Sequence, residues 1–212
     1  MPRLKQIPRS QVEKDSNIEK IYNLIFGKRC PVEEPGTETG SPGNWWSVMA
    51  IVPGVFTHTL EGFRFYRSKE RKIDPILREL GQIRAGYNNE SLFVYSQHCK
   101  ACRSVGMSEI KIQNIPHWQT ADCYSEIERA VLAYTDQLTL ERGRVPDGTF
   151  NVLKKHLSDE EILELTYITC TYSMHALMSR ALQLEFDEVD ERMVEVPAPK
   201  GSSYDVMRSV DQ

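Results

Sequence analysis

The 212-residue sequence predicts an all-α protein, and three observations carry that expectation. Apolar residues recur at steps of three and four in one segment after another, the repeat of a helix that buries one face. Helix-start chemistry, an Asp-Pro pair and two Ser-x-x-Glu boxes, stands directly before three of these segments. No stretch alternates apolar and polar residues convincingly over the length of a strand.

In chain order, residues 10–27 place Ile18, Ile21, Tyr22, Leu24 and Ile25 on one stripe and predict a first helix. Residues 30–43 hold Pro31, Pro35, Pro42 and three glycines, so a loop is expected, linking an N-terminal arm to the main body. Residues 44–52 are short and apolar, and Pro53-Gly54 is expected to break them. Residues 55–66 repeat Phe56, Leu60, Phe63 and Tyr66 at helical spacing, and a charged turn follows to Lys72. Asp74 as N-cap and Pro75 at the first helical position open a helix that runs to Tyr87. Residues 91–105 contain no proline and end at Gly106, a suitable helix stop. Ser108 restarts a short helix with Glu109 in its first turn, and Pro116-His117-Trp118 marks a break.

Ser125-Glu-Ile-Glu128 has capping-box form and starts a helix to about residue 141. A turn at Val145-Pro-Asp-Gly148 precedes a short helix over 149–156. Ser158-Asp-Glu-Glu161 opens the longest helix, to about residue 184. It is apolar on most sides, which places it at the centre of the fold or of an oligomer. Acidic residues, two prolines and Gly-Ser-Ser follow, the composition of an extended tail, either disordered or laid across a neighbouring subunit. The expected organisation is one domain with arms: residues 1–43 an N-terminal helical arm and linker, 44–186 the core, 187–212 a C-terminal tail.

Composition narrows the function. A formal charge of −4 argues against a nucleic-acid surface, and no apolar run approaches a membrane span. The N-terminal residues lack the apolar segment of a secretory signal, so a cytoplasmic protein is expected. Five cysteines, odd in number and scattered, do not form a disulfide framework.

Chemistry concentrates in residues 91–106. On a helix, Ser91, Val94, Tyr95, His98 and Cys102 share one face, and Cys99 points about 100° away from His98. A hydroxyl, a phenol, an imidazole and a thiol on one face are unusual for a plain core stripe, although a lone histidine often serves packing. In the preceding helix Glu79 lies among Ile76, Leu77, Leu80 and Ile83. A carboxylate in such surroundings needs a partner if buried, and His98 is the nearest candidate.

Glu79, the Gln97-His98 pair, Gly106 and the Met-Ser-Glu-Ile that follows resemble the core of the carboxymuconolactone decarboxylase and AhpD-like alkylhydroperoxidase superfamily. The peroxidase branch carries Glu-x11-Cys-x-x-Cys-x-x-x-His and a glycine eight residues later. Laid on this chain, that pattern puts its glutamate on Glu79, its histidine on His98 and its two cysteines on Ser91 and Val94. The missing cysteines, and Tyr95 three residues before the histidine, make the chain resemble the decarboxylase-like branch. The resemblance spans roughly residues 45–184 and implies an AhpD-like helical fold.

It also implies a cofactor-free lyase or isomerase acting on a small carboxylated, lactone or aromatic-derived metabolite, with no metal. Decarboxylation and lactone isomerisation both move a proton to or from carbon, which one histidine can do near neutral pH. His98 is then the general acid/base, Glu79 orients its ring, and Tyr95 and Ser91 donate hydrogen bonds to a developing enolate. Arg84 or Arg180 would hold a substrate carboxylate. Trp45, Trp46 and His58, with Cys102, are further candidates for the substrate pocket. The expected partners are a small-molecule substrate and further copies of the chain, as a trimer, dimer or hexamer; nucleic acid and membrane are not expected.

Two other functions fit the residues. Cys99-Lys-Ala-Cys102 is a C-x-x-C and allows a thiol-dependent, alkylhydroperoxidase-like redox enzyme. Redox pairs of this form usually sit at a helix N-terminus, however, and these two sit in the second half. A zinc site from His98, Cys99 and Cys102 lacks a fourth local ligand. The remaining alternative is a non-catalytic binding or assembly protein that keeps the fold.

Overall fold

The computed structural model describes residues 1–185, and among them every regular element is helical. The helices are α1 (Asn17–Phe26), α2 (Asn44–Met49), α3 (Pro53–Arg67), α4 (Pro75–Asn88), α5 (Leu92–Ser104), α6 (Glu109–Asn114), α7 (Glu126–Thr139), α8 (Asp147–His156) and α9 (Asp159–Leu182), with 3-10 turns at Arg9–Gln11 and Ile115–Thr120. The expected tail at 187–212 lies outside the described residues.

Among the described residues two compact units account for the packing: residues 1–70 together with 179–185, and residues 71–178.

In the first unit, α1 is shorter than its apolar stripe. Asp15 adopts a positive φ of 60° and Ser16 caps the helix by accepting from Glu19 N, so residues 10–16 stay outside it. Tyr22 and Phe26 are fully buried, and the Tyr22 hydroxyl donates to Ile7 O at 2.8 Å. Arg29 closes the following loop by donating to Glu34 O and Gly36 O. Pro53 begins α3 instead of only breaking α2; its absent N–H is no loss in a first turn, where that group has no intrahelical acceptor.

The second unit holds α4 to α8 and most of α9. Asp74 Oδ1 caps α4 by accepting from Ile76 N and Leu77 N at 2.8 and 3.2 Å. Both boxes form: Ser125 with Glu128 before α7, and Ser158 with Glu161 before α9. Leu80, Ile83, Val131, Leu132 and Leu153 are wholly buried, with Leu165 and Ile168 of α9 at 1% exposure. Burial of each such side chain stabilises the fold by about 1.5–3 kcal/mol before conformational entropy is subtracted.

Candidate active site

The site is built where α4 and α5 run antiparallel. A short turn at residues 89–91 joins them, and Ser91 caps α5 by accepting from Val94 N at 3.2 Å. Gly86 lets the backbones close up: a Cβ there would lie 2.9 Å from Tyr95 N. That close approach brings the middle of α4 against the middle of α5, and Glu79 meets His98.

Glu79 is 3% exposed and His98 5%. His98 Nδ1 lies 2.8 Å from Glu79 Oε2. Arg78 donates to Glu79 Oε1 from Nη2 at 3.0 Å and from Nε at 3.3 Å. Gln82, with its amide nitrogen turned to the carboxylate, donates to both oxygens at 3.0 Å each. Burial alone would push the Glu79 carboxyl up; the His98 hydrogen bond and charge, with those of Arg78, outweigh it and hold the group below the usual carboxylate range. The buried carboxylate is thus ionised, and Arg78 already balances its charge. In the neutral imidazole, Nδ1–H donates to Glu79 and the lone pair is fixed on Nε2. Nε2 has no hydrogen-bond partner among the described residues.

The other wall comes from α9. The Tyr172 ring stands edge-on to the His98 imidazole, centroids 4.3 Å apart, and His175 lies 5.2 Å beyond Tyr172. His175 is driven down to about 4, first by burial and then by the charge of His98. It is therefore neutral at physiological pH.

The remaining expected site residues fall into three places. Tyr95 is half-buried and turns to Tyr87, ring centroids 5.8 Å apart, and to the Cys99 thiol one turn on, rather than to His98. Burial, and then Cys99, push its phenol up. Ser91 is 1% exposed and spends its hydroxyl oxygen on the helix cap, because it stands at the first position before α5. Cys102 is fully buried behind Glu79, its Sγ 4.0 Å from Glu79 O, and burial followed by the Glu79 charge pushes its thiol up.

Arg84, expected to hold a substrate carboxylate, holds Asp136 instead. Its Nε and Nη2 reach Asp136 Oδ1 and Oδ2 at 2.6 and 3.0 Å, and Nη1 donates to Ile115 O. The fork is engaged by an internal carboxylate, so it serves the fold. Trp45, Trp46, His58 and Arg180 belong to the first unit. Trp45 is 4% exposed and its backbone N donates to Glu185 Oε1. Trp46 packs edge-on to Phe56 and Phe63, while His58 and Arg180 are exposed. Among the described residues no group of three or more His, Cys, Asp or Glu is placed to hold a metal ion.

Arg78, Gln82, Tyr172 and His175 are the site residues that sequence reading missed. Gln82 stood three residues from Glu79, a visible helical neighbour. His175 stood in an otherwise apolar helix, a visible anomaly. Arg78 is adjacent in sequence, a spacing that does not predict a shared face, and Tyr172 carried no signal.

The profile of the Carboxymuconolactone decarboxylase family matches residues 55–137. The uncharacterised protein YdfG of Bacillus subtilis is 30% identical over 102 residues, which cover 48% of this chain and 69% of YdfG.

The chain belongs to the carboxymuconolactone decarboxylase family.

Solved structures share the helical fold. A protein of unknown function from Agrobacterium tumefaciens, called a putative antioxidant defence protein AhpD, superposes with a TM-score of 0.59 at 24% identity over 69% of this chain and 96% of its own. A variant of the debrominase Bmp8 in complex with 2,3,4-tribromopyrrole superposes with a TM-score of 0.65 at 15% identity, over 87% and 92% of the two chains. Within the superfamily this chain carries Ser91 and Val94 where the peroxidase motif has cysteines. No helix among the described residues is long and apolar enough to cross a membrane.

Proposed function

We propose that this superfamily member is a cofactor-free lyase or isomerase that moves a proton on a small carboxylated, lactone or aromatic-derived metabolite, with His98 as general acid/base. The observation that supports it is the 2.8 Å pairing of His98 Nδ1 with a buried, ionised Glu79. An imidazole held in one tautomer presents one basic nitrogen, Nε2, in surroundings that exclude most water.

In an isomerisation, Nε2 takes a proton from the carbon next to a carbonyl. The electron pair left behind is delocalised as an enolate, and the imidazolium returns the proton to a different carbon. In a decarboxylation, the C–C bond to the carboxylate breaks with loss of CO2, and a protonated His98 delivers its Nε2 proton to the resulting carbanion. Glu79 stabilises the transient imidazolium through Nδ1–H without itself taking the proton. Arg78 and Gln82 hold that carboxylate in place.

Dithiol chemistry is the weaker alternative. Burial pushes up both the Cys99 and the Cys102 thiols, so neither is readily a thiolate. A non-catalytic role has a specific observation in its favour: His98 is 5% exposed, with the Tyr172 edge against its ring, and a buried Glu–His pair also serves a core.

Solvent exchange separates the two without knowledge of the natural substrate. Carboxylated lactones and enolisable keto acids are incubated in D2O with the protein and followed by proton NMR. Wild type is expected to exchange a C–H of at least one compound class, and His98→Gln is expected not to. Wild type inert across the panel, with His98→Gln much less stable, assigns the pair to the core instead.

A further inference from the structure

We propose that His175 is a second catalytic residue of the His98 site, its imidazole N–H stabilising the negative charge that develops on the carbonyl oxygen of the substrate. The inference deepens the reading of His98 as general acid/base and rests on it. When Nε2 of His98 takes a proton from carbon, the C–H electron pair becomes a C=C bond and the carbonyl oxygen becomes an enolate oxygen. Departure of CO2 loads the same oxygen. Away from water, such an oxygen needs a hydrogen-bond donor already in place. The proton returns from His98 to the second carbon, and His175 keeps its own throughout.

The side chains of α4 and α5 expected to serve this oxygen are turned to other tasks. Ser91 accepts at the cap of α5, Tyr95 packs on Tyr87, and Arg84 holds Asp136 through two nitrogens. Arg78 and Gln82 donate to Glu79. The facing wall is α9. Tyr172 and His175 stand three residues apart on it, neighbours on one helix face, 6% and 5% exposed. The Tyr172 ring meets both imidazoles, its centroid 4.3 Å from that of His98 and 5.2 Å from that of His175. Two imidazoles from two helices thus border one phenol ring.

Their surroundings divide the work between them. His98 faces an ionised carboxylate, which supports a positive imidazolium. His175 is driven down to about 4, first by burial and then by the charge of His98. The second cause couples the rings: once His98 has taken a proton, His175 stays neutral. A neutral imidazole donates its one N–H to an oxyanion without releasing the proton. Two titratable groups whose environments push them apart in this way take separate roles, one moving the proton and the other holding the charge. The single proton of a neutral ring can sit on either nitrogen. A protein group at one nitrogen therefore leaves the other for the substrate, as Glu79 does at His98.

The test uses C–H exchange in D2O over the panel of carboxylated lactones and enolisable keto acids, headed by paraconate and pyruvate. His175→Leu is expected to lower the maximal exchange rate roughly 100- to 1,000-fold, the effect of one lost oxyanion donor. Half-saturation is expected to stay near wild type, because the charge that His175 serves appears only in the transition state. His175→Gln keeps an N–H donor and is expected to recover a large part of the rate. A His175→Leu chain as fast as wild type overturns the proposal and leaves His98 standing. Wild type inert across the panel ends the His98 reading and this one with it. Equal losses in the two variants assign the ring to packing. Nitrogen-15 histidine spectra of wild type cover a His175→Leu chain that fails to fold. On saturation with the probe exchanged fastest, the His175 N–H proton is expected to move downfield while both ring nitrogens keep the neutral pattern. An unmoved signal, or an imidazolium pattern, overturns the proposal.

Discussion

Glu79 Oε2 and His98 Nδ1, nineteen residues apart in sequence, lie 2.8 Å apart across the α4–α5 contact. Removing either partner leaves a different defect. His98→Gln removes the titrating nitrogen, and turnover is expected to fall by roughly two to four orders of magnitude, the contribution of a general acid/base. Glu79→Gln leaves the imidazole but not its anionic support, so turnover falls less. It also leaves Arg78 buried without its carboxylate, and stability is expected to drop by about 3–5 kcal/mol. Exchange rates by NMR and guanidinium unfolding of the two variants check both halves.

A second carboxylate organises the other end of α4. Asp136 of α7 accepts from Arg84 at two atoms, from Asn88 Nδ2 at 2.8 Å and from Trp118 Nε1 at 3.0 Å. Asp136→Ala strands a guanidinium that is 5% exposed, and a loss of about 3–5 kcal/mol is expected from denaturant midpoints. Replacing both charges, Arg84→Met with Asp136→Leu, is expected to recover much of that loss. No recovery would show that Asn88 and Trp118 carry the effect.

Two glycines of α4 separate backbone from side-chain crowding. A Cβ at Gly81 would meet Thr169 Oγ1 at 2.5 Å, whereas one at Gly86 would meet Tyr95 N at 2.9 Å. Each glycine-to-alanine change is expected to cost about 1–3 kcal/mol. Thr169→Ala is expected to relieve Gly81→Ala, since it removes the obstructing atom. No trimmed side chain relieves Gly86→Ala, whose obstacle includes the α5 backbone, and that variant is expected to lose exchange activity as α5 shifts. Thermal melts of the single and double variants decide this.

Acid stability follows from His175. Its folded-state value is depressed to about 4 from 6.5, by burial and then by the charge of His98. The unfolded chain takes up this proton first, so the stability from keeping the ring neutral is complete above pH 6.5 and declines as pH falls toward 4. The loss over that window is about 3 kcal/mol. Glu79, held below the usual carboxylate range, adds a further loss at lower pH as it takes a proton in the fold. Denaturant midpoints at steps from pH 7 to pH 4 should slope for wild type and flatten for His175→Gln; equal slopes would reject the assignment to His175.

Helix starts were legible because their chemistry is local. Asp74-Pro75, Ser125 with Glu128 and Ser158 with Glu161 each satisfy backbone N–H groups within one turn, and all three form. Pro53 does break the segment before it, as expected, and it also starts α3 two residues ahead of the expected position, because proline is tolerated at a first helical position. The Glu79–His98 contact was legible for a different reason: a carboxylate among leucines and isoleucines requires a partner, and few were near.

By itself, then, the sequence determined an all-α fold, most helix boundaries and the pair of residues at the heart of the site, since periodicity, capping and the cost of a lone buried charge act over short spans of chain. Tertiary structure alone decided which polar groups were already engaged. It gave Arg84 to Asp136 and Arg78 to Glu79, and it brought Tyr172 to His98 from another helix. Those assignments depend on which helix faces touch, and contacts between segments many residues apart leave no mark in the local pattern of any one of them.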